Sequence, residues 1–230
     1  MSDWREWMQQ QAKQAKHPAL QAYYERFDLD PEQSISETPL IALDLETSGL
    51  DPRRDAILSM GVVPFSLQRI PLSMHREWLL RPPLGFAEQS VAHHGITHSD
   101  VSASPELLDV LPALLEQCAG RLCVVHYHPI EREFLDRAVR HRLGSELRFP
   151  LIDTMALEAR LHRATWQAKL QQWMGRTPPS LRLAASRSRY GLPAYRSHRA
   201  SIDALATAEL LQAQIQHHYS STTALNALWL

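Results

Sequence analysis

The sequence predicts an α/β domain: a mixed five-stranded sheet, three antiparallel strands and then parallel strands joined by helical crossovers, flanked by helices and preceded by a helical N-terminal extension. Three observations carry that expectation. The apolar segments Leu40 to Leu45, Ile57 to Phe65 and Ser73 to Leu80 follow one another across short polar or proline-containing breaks, which suits antiparallel neighbours. Beyond them helix-like and strand-like segments alternate, so later strands enter through helices and lie parallel to the first. Finally, Asp44, Glu46, His126 and Asp153 all fall at the carboxyl ends of strand candidates, where open α/β sheets form their sites.

The elements follow in order. Trp4, Trp7, Met8, Ala12, Ala19, Leu20, Tyr23, Tyr24 and Phe27 recur at helical intervals, and Pro18 interrupts them, so two helices are expected, with their apolar stripe packed on the rest of the chain. Asp30-Pro31 and the polar run to Thr38 read as a linker. Residues 1–38 are therefore set apart as an extension, 39–220 as the main domain and 221–230 as a tail. After the three strands, Pro105 to Gln117 is expected as a helix with Leu107, Leu108, Leu111, Leu114 and Leu115 on one side, and Leu122 to Val125 as a buried strand. Glu131 to His141 is the next helix, Phe149 to Ile152 a strand ending at Asp153, a helix runs on through Leu161, and Ser201 to His217 forms a long last helix.

Composition excludes several classes. With Lys+Arg 24 against Asp+Glu 25 there is no global field to attract a polyanion, so any basic surface must be local. Arg182, Arg187, Arg189 and Arg196, in a stretch from Arg176 to Arg199 without an acid, are the expected patch. Cys118 and Cys123 are too few for a disulfide framework and lack zinc-like neighbours, which suits a reduced, cytoplasmic protein. The N-terminus has no signal-peptide core, and no apolar run approaches the roughly 20 residues of a membrane span.

Within the first strand, Ile41-Ala42-Leu43-Asp44-Leu45-Glu46-Thr47-Ser48-Gly49-Leu50, two acids stand one residue apart and so point to the same face. Keeping both ionised in a low-dielectric setting is costly unless a cation neutralises them, and hard divalent ions take such oxygen ligands. Alone, the pair reads equally well as a solvated strand end. Asp153 reads as a helix N-cap and is not assigned to metal, while Trp166 and Trp173 fit either a core or a stacking surface.

Four segments in order carry a resemblance. Asp44-Leu45-Glu46-Thr47-Ser48-Gly49, Val91-Ala92-His93-His94-Gly95-Ile96-Thr97, Val125-His126-Tyr127-His128-Pro129-Ile130-Glu131 running on to Phe134-Leu135, and His198-Arg199-Ala200-Ser201-Ile202-Asp203-Ala204 together resemble the motifs of the DEDDh 3′-to-5′ exonucleases, the family of the DNA polymerase III epsilon subunit and ribonuclease T. The resemblance spans Pro39 to about His217 and implies a ribonuclease H-like fold. It also implies a site for two divalent ions, Mg²⁺ or Mn²⁺: Asp44 shared between them, Glu46 and Asp203 completing the first and Glu131 supporting the second. His198 takes the place of the family's general base. By the same resemblance Thr47, Ser48, His94 and His126 are the expected substrate-binding residues: the backbone near Thr47 holds the terminal nucleotide, His94 lies near the rim, and His126 braces the second motif from the end of its strand.

The implied partner is a single-stranded DNA or RNA 3′ end, with DNA placed ahead of RNA and a polymerase as a further possible partner. Two departures stand out: Glu131 occupies the place of the family's aspartate and Tyr127 that of its asparagine. The extra methylene shifts the carboxylate by about 1.5 Å, one carbon–carbon bond. These departures motivate the alternative of a weakly active or inactive nucleic-acid-binding subunit.

Overall fold

The structure is a computed structural model that describes residues 4–83, 103–163, 179–196 and 198–230. Its sheet runs in the order β3-β2-β1-β4-β5, with β1 (Leu40–Thr47), β2 (Ile57–Phe65), β3 (Arg76–Leu79), β4 (Leu122–Val125) and β5 (Leu151–Asp153). Antiparallel pairing joins β1 to β2 and β2 to β3, and parallel pairing joins β1 to β4 and β4 to β5. This is the mixed sheet expected from the sequence. The third strand is shorter than its apolar pattern suggested, because Leu72–Met74 close a 3₁₀ turn before it. Pro64 sits in β2 opposite Ile41, past the Ser59-to-Val62 stretch that pairs with β3, so its missing N–H leaves that ladder intact.

The helices are α1 (Trp4–Gln14), α2 (Pro18–Glu25), α3 (Leu107–Cys118), α4 (Pro129–Leu143), α5 (Thr154–Arg163), α6 (Leu183–Arg189) and α7 (Ala200–His218). They divide between the two faces of the sheet as the strand alternation dictates. Ile41, Leu43 and Leu45 pack with Leu111, Leu114 and Leu115 of α3, Phe134, Leu135 and Val139 of α4, and Met8, Leu20, Tyr23 and Tyr24 of the first two helices. On the other face Leu40, Ala42, Val63, Phe65, Leu122, Val124 and Ile152 pack under Ala204, Ala208, Leu211 and Ile215 of α7. Burying one such Leu or Ile is worth about 2 kcal/mol, so a strand filled on both faces can also carry groups that prefer water.

Three expectations change. The stretch read as a linker is packed: Leu29 and Ile35 are buried with Leu225, Leu228 and Trp229, and Ile35 N–H donates to Thr223 O at 2.9 Å. Its polar residues mark backbone pairing with the tail, such as the Ser34–Ala224 bridge, rather than a free connection. Helix α6 was not foreseen, since its seven residues are too short for a helical period to show. The arginines around it are not one open patch. Arg187 is buried, donating to Glu209 Oε2 at 2.7 Å and to Ala206 O and Pro193 O; Arg189 is exposed but committed to Glu158 Oε2 at 2.6 Å, and Arg182 and Arg196 are exposed. Arg176, Trp166 and Trp173 lie outside the described residues. Among the described residues no helix is long and apolar enough to cross a membrane.

Gly61 governs how closely α7 approaches the sheet. A Cβ there would lie 2.2 Å from Ala200 C and 2.3 Å from Ser201 N, so the first turn of α7 rests directly on the β2 backbone. Glu158 governs the far end. It is fully buried and accepts from Arg189, Gln214 Nε2 at 2.9 Å and Tyr190 Oη at 2.6 Å. Burial alone pushes its carboxyl up, but the hydrogen bonds from Gln214, Tyr190 and Arg189 together hold it below the usual carboxylate range.

Two outcomes follow. Gly61→Ala should destabilise the fold by about 2 kcal/mol through overpacking, read as a lower thermal midpoint; an unchanged midpoint would show that α7 can lift without cost. A carboxyl held low contributes stability that is present above its unfolded value near 4.5 and is lost as pH falls through the folded value. Glu158→Gln should therefore cost about 2 kcal/mol at pH 7 and flatten the acid limb of the stability curve below pH 4.5. An acid limb identical to that of the parent would contradict the assignment.

Candidate active site

On β1, Asp44 and Glu46 continue the face that Leu40 and Ala42 begin, just beyond the area where α7 covers the sheet. Asp44 pairs with Gly61 across β2, so the residue beside it has no side chain and the first turn of α7 descends there. That approach delivers Asp203. Oxygen atoms of Asp44, Glu46 and Asp203 lie within 4.8 Å of one another.

The loop before α7 carries His198, an exposed residue whose backbone N–H donates to Asp203 Oδ2 at 2.8 Å. Its φ is 75°, and Tyr127, in the loop before α4, has φ 85°; among the described residues these are the non-glycine positions with positive φ. Such backbone is held only where the surroundings determine it, and each instance sits on a loop that delivers a site carboxylate.

Helix α4 places Glu131 in its first turn, 2% exposed, with Oε2 buried and lacking a hydrogen-bond partner among the described residues. Of the neighbouring charges that push the Asp44 carboxyl up, that of Glu131 is the largest. The loop ahead of Glu131 is tied down by Asp153. Its Oδ1 accepts from Tyr127 N at 3.0 Å, its Oδ2 from His128 N at 3.0 Å and His128 Nδ1 at 2.8 Å, and Met155 N and Ala156 N also donate to Oδ1. Asp153 thus caps α5, as its position suggested, and also clamps the β4–α4 loop, which sequence did not reveal. Burial pushes its carboxyl up, but the bonds from His128 and Tyr127 outweigh it and hold it low.

The residues expected at the substrate are already engaged by the protein. His126 Nδ1 lies 2.8 Å from Thr154 Oγ1 and Nε2 lies 2.9 Å from Leu181 O, so both ring nitrogens brace the fold. Both contacts fit the bracing of the second motif expected of His126. Burial pushes this imidazole down, which keeps it neutral. Thr47 Oγ1 donates to Gly49 O at 2.6 Å, and Ser48 Oγ donates to Asp55 Oδ1 and accepts from Ala56 N. Both hydroxyls shape the turn after β1, which puts the backbone rather than these side chains at the rim. His94 lies outside the described residues.

The electrostatics of the four acids are consistent with one another. Burial first, then Glu131, Glu46 and Asp203, push the Asp44 carboxyl well up. Burial, Asp203 and Glu77 push Glu46 to about 7. Burial also raises Glu131 and Asp203, the latter in spite of the His198 N–H. Four acids that resist ionisation together, with one oxygen left unpartnered, fit hard divalent cations, whose charge removes both the repulsion and the desolvation cost. Glu77 was missed, since an exposed-looking Glu in a short strand gives no signal, whereas Gly61, a lone glycine in a Val- and Ile-rich run, is a legible sign of close backbone approach.

Comparison with known proteins agrees with this geometry. A family model described as Exonuclease, RNase_T, matches residues 41–211. The DNA polymerase III PolC-type protein of Thermotoga maritima is 28% identical over 183 residues, which cover 80% of this chain and 12% of that protein. The corresponding protein of Lacticaseibacillus paracasei is 25% identical over 184 residues, again 12% of its length. This chain thus spans about an eighth of these relatives.

Among solved structures, the nuclease domain of 3′hExo, a DEDDh family member bound to rAMP, superposes with TM-score 0.63 at 14% identity, covering 83% of this chain and 96% of that one. Exonuclease X in complex with 5′ overhanging duplex DNA gives 0.55 at 23% identity, covering 81% and 98%. These likenesses show the ribonuclease H-like fold of the DEDDh nucleases. With the family model matched from the first residues of β1 into α7, the chain belongs to the RNase_T exonuclease family.

Proposed function

We propose that the protein is a metal-dependent 3′-to-5′ exonuclease that removes nucleoside monophosphates from single-stranded 3′ ends, DNA ahead of RNA. The observation that carries this reading is the convergence of Asp44, Glu46 and Asp203 within 4.8 Å beside the buried Glu131. The preference for DNA is supported by the PolC-type DNA polymerases among its sequence relatives.

Asp44, Glu46 and Asp203 would hold one divalent ion, and Asp44 with Glu131 a second, Mg²⁺ or Mn²⁺ in each case. Such ions, when bound, supply stabilisation of the charge that develops on the attacking and leaving oxygens. His198 accepts the proton of the attacking water, a task suited to the near-neutral ordinary pKa of imidazole, and its tie to Asp203 fixes the base relative to the acids. The water oxygen forms its bond to the phosphorus of the terminal linkage, the bond from phosphorus to O3′ of the preceding nucleotide breaks, and that O3′ takes up a proton. The acids repel the phosphate backbone, and Arg182 and Arg196, both exposed, are the described cations best suited to offset this at the approach.

A 5′-labelled single strand incubated with Mg²⁺ or Mn²⁺ should shorten one nucleotide at a time, with the reaction abolished by EDTA and by Asp44→Ala. No shortening, or shortening that Asp44→Ala leaves intact, would overturn the reading. His198→Ala should lower kcat by roughly 10²- to 10⁴-fold, the span of general-base contributions. Glu131→Asp should preserve or raise kcat and Glu131→Ala should lower it; if the alanine variant matched the parent, Glu131 would have no part in the site. DNA and RNA oligonucleotides of the same sequence, assayed side by side, should show the faster rate on DNA.

A further inference from the structure

Glu77 lies outside the carboxylate cluster, yet it shares a row of the sheet with it. In the antiparallel registers Glu77 pairs with Gly61 and Gly61 with Asp44, so the three residues stand side by side on one face, and Glu77 reaches across the gap that Gly61 leaves. There its Oε2 accepts from Arg199 Nη2 at 2.7 Å and from Ser201 Oγ at 2.7 Å. Those two donors bracket the start of α7, and the residue just ahead of them is His198, held at φ 75° with its N–H on Asp203. The loop is thus gripped from two sides: by Asp203 through the His198 backbone, and by Glu77 through Arg199 and Ser201. The Asp203 bond holds the His198 N–H, the N–H groups of Ile202 and Asp203 donate to Arg199 O to close the first turn of α7, and Glu77 adds a side-chain hold on that same segment.

We propose that Glu77 is a positioning residue for His198: its clasp on Arg199 and Ser201 holds the loop in the one backbone conformation that sets the imidazole over the acids. The inference rests on the exonuclease reading for the role of His198, but the clasp itself is independent of that reading. Three consequences separate positioning from simple support of the fold. The clasp touches neither the cation-holding oxygens of Asp44 nor the described arginines at the approach, but Glu77 acts on Glu46 through its charge. Arg199→Met keeps that charge and so should act on turnover and not on binding, whereas Glu77→Gln also removes a charge that pushes the Glu46 carboxyl up. Arg199 is two-thirds exposed as a side chain, so removing its charge leaves the core intact. The ion pair also has a reversible sense, so exchanging the two charges should restore it.

The test uses the full chain with Glu77→Gln, Arg199→Met and the exchange Glu77→Arg with Arg199→Glu. Steady-state kinetics on a labelled single strand are read beside backbone hydrogen exchange across residues 195–203 and Mn²⁺ titration without substrate. Each single variant should lower kcat by about tenfold or more, within the reach of a misplacement near 1 Å, with KM within about twofold of the parent in both and Mn²⁺ affinity within about twofold in Arg199→Met, which leaves the Glu77 charge beside Glu46 in place. Amide exchange at His198 should rise about tenfold while β1 stays protected, and the exchange variant should recover most of the lost turnover and protection. Unchanged kcat and unchanged His198 exchange in both single variants would overturn the proposal. So would a loss in Arg199→Met that follows KM or Mn²⁺ affinity, or a charge exchange that recovers nothing. If the parent protein fails to shorten the strand, the exonuclease reading falls, while the exchange data still decide whether Glu77 holds the loop.

Discussion

Bringing Asp203 down onto Asp44 and Glu46 is the constraint on which the rest of the structure depends. Three acids must meet on a sheet face that α7 otherwise seals with Ala204, Ala208, Leu211 and Ile215, with Glu131 added from the first turn of α4. The meeting is possible because β2 offers bare backbone at Gly61 in register with Asp44, so that Ala200 and Ser201 can rest against it. Any side chain at that point would separate the helix from the strand, and the acids would stand apart in water as ordinary surface carboxylates. Apolar packing supplies the force that closes the site: the same helix that buries its alanines under β1 and β4 carries Asp203 into a position that mutual repulsion alone would forbid.

Three loops hold the acids in place. Thr47, Ser48 and Asp55 close the turn after β1; Asp153 collects the N–H groups of Tyr127 and His128 ahead of Glu131; and Asp203 with Glu77 grips the segment from His198 to Ser201. At the first two loops a hydroxyl or a carboxylate outside the cluster orders the backbone beside a site acid, and at the third Glu77 does so together with Asp203, itself a member of the cluster. This division explains why the positive-φ residues Tyr127 and His198 stand where they do. It also explains why the acids beside the cluster split into two groups: Asp153 and Glu77 are held low by donors, and Asp44, Glu46, Glu131 and Asp203 are pushed up by burial and by one another.

Much of this was legible in the sequence, for physical reasons. Strand β4 and the long helix α7 stand where the apolar pattern placed them to within a residue or so, because a buried run and an extended helical stripe leave few alternatives. The alternation in β1 alone set Asp44 and Glu46 on one face, and the spacing of His198 and Asp203 was read from motif order. What escaped depends on contacts between distant residues. Polar Gln33, Ser34 and Ser36 read as a linker, yet their backbone pairs with the tail across nearly the whole chain. Arg187 and Arg189 look solvated until Glu209 and Glu158 are brought beside them by folding. The Thr154 and Leu181 partners of His126 lie 28 and 55 residues away, so the sequence suggested a brace without showing what it holds.

The central claim is that these acids form a cation site that serves phosphodiester hydrolysis, and paramagnetic titration addresses it without reliance on turnover. Mn²⁺ added to the protein in the presence of a nucleoside monophosphate, followed by electron paramagnetic resonance, should show saturable binding of two ions per chain, with binding lost in Asp44→Asn, since Asp44 is the carboxylate we propose both positions share. Binding no stronger than that of scattered surface carboxylates, or binding that Asp44→Asn leaves unchanged, would contradict the account.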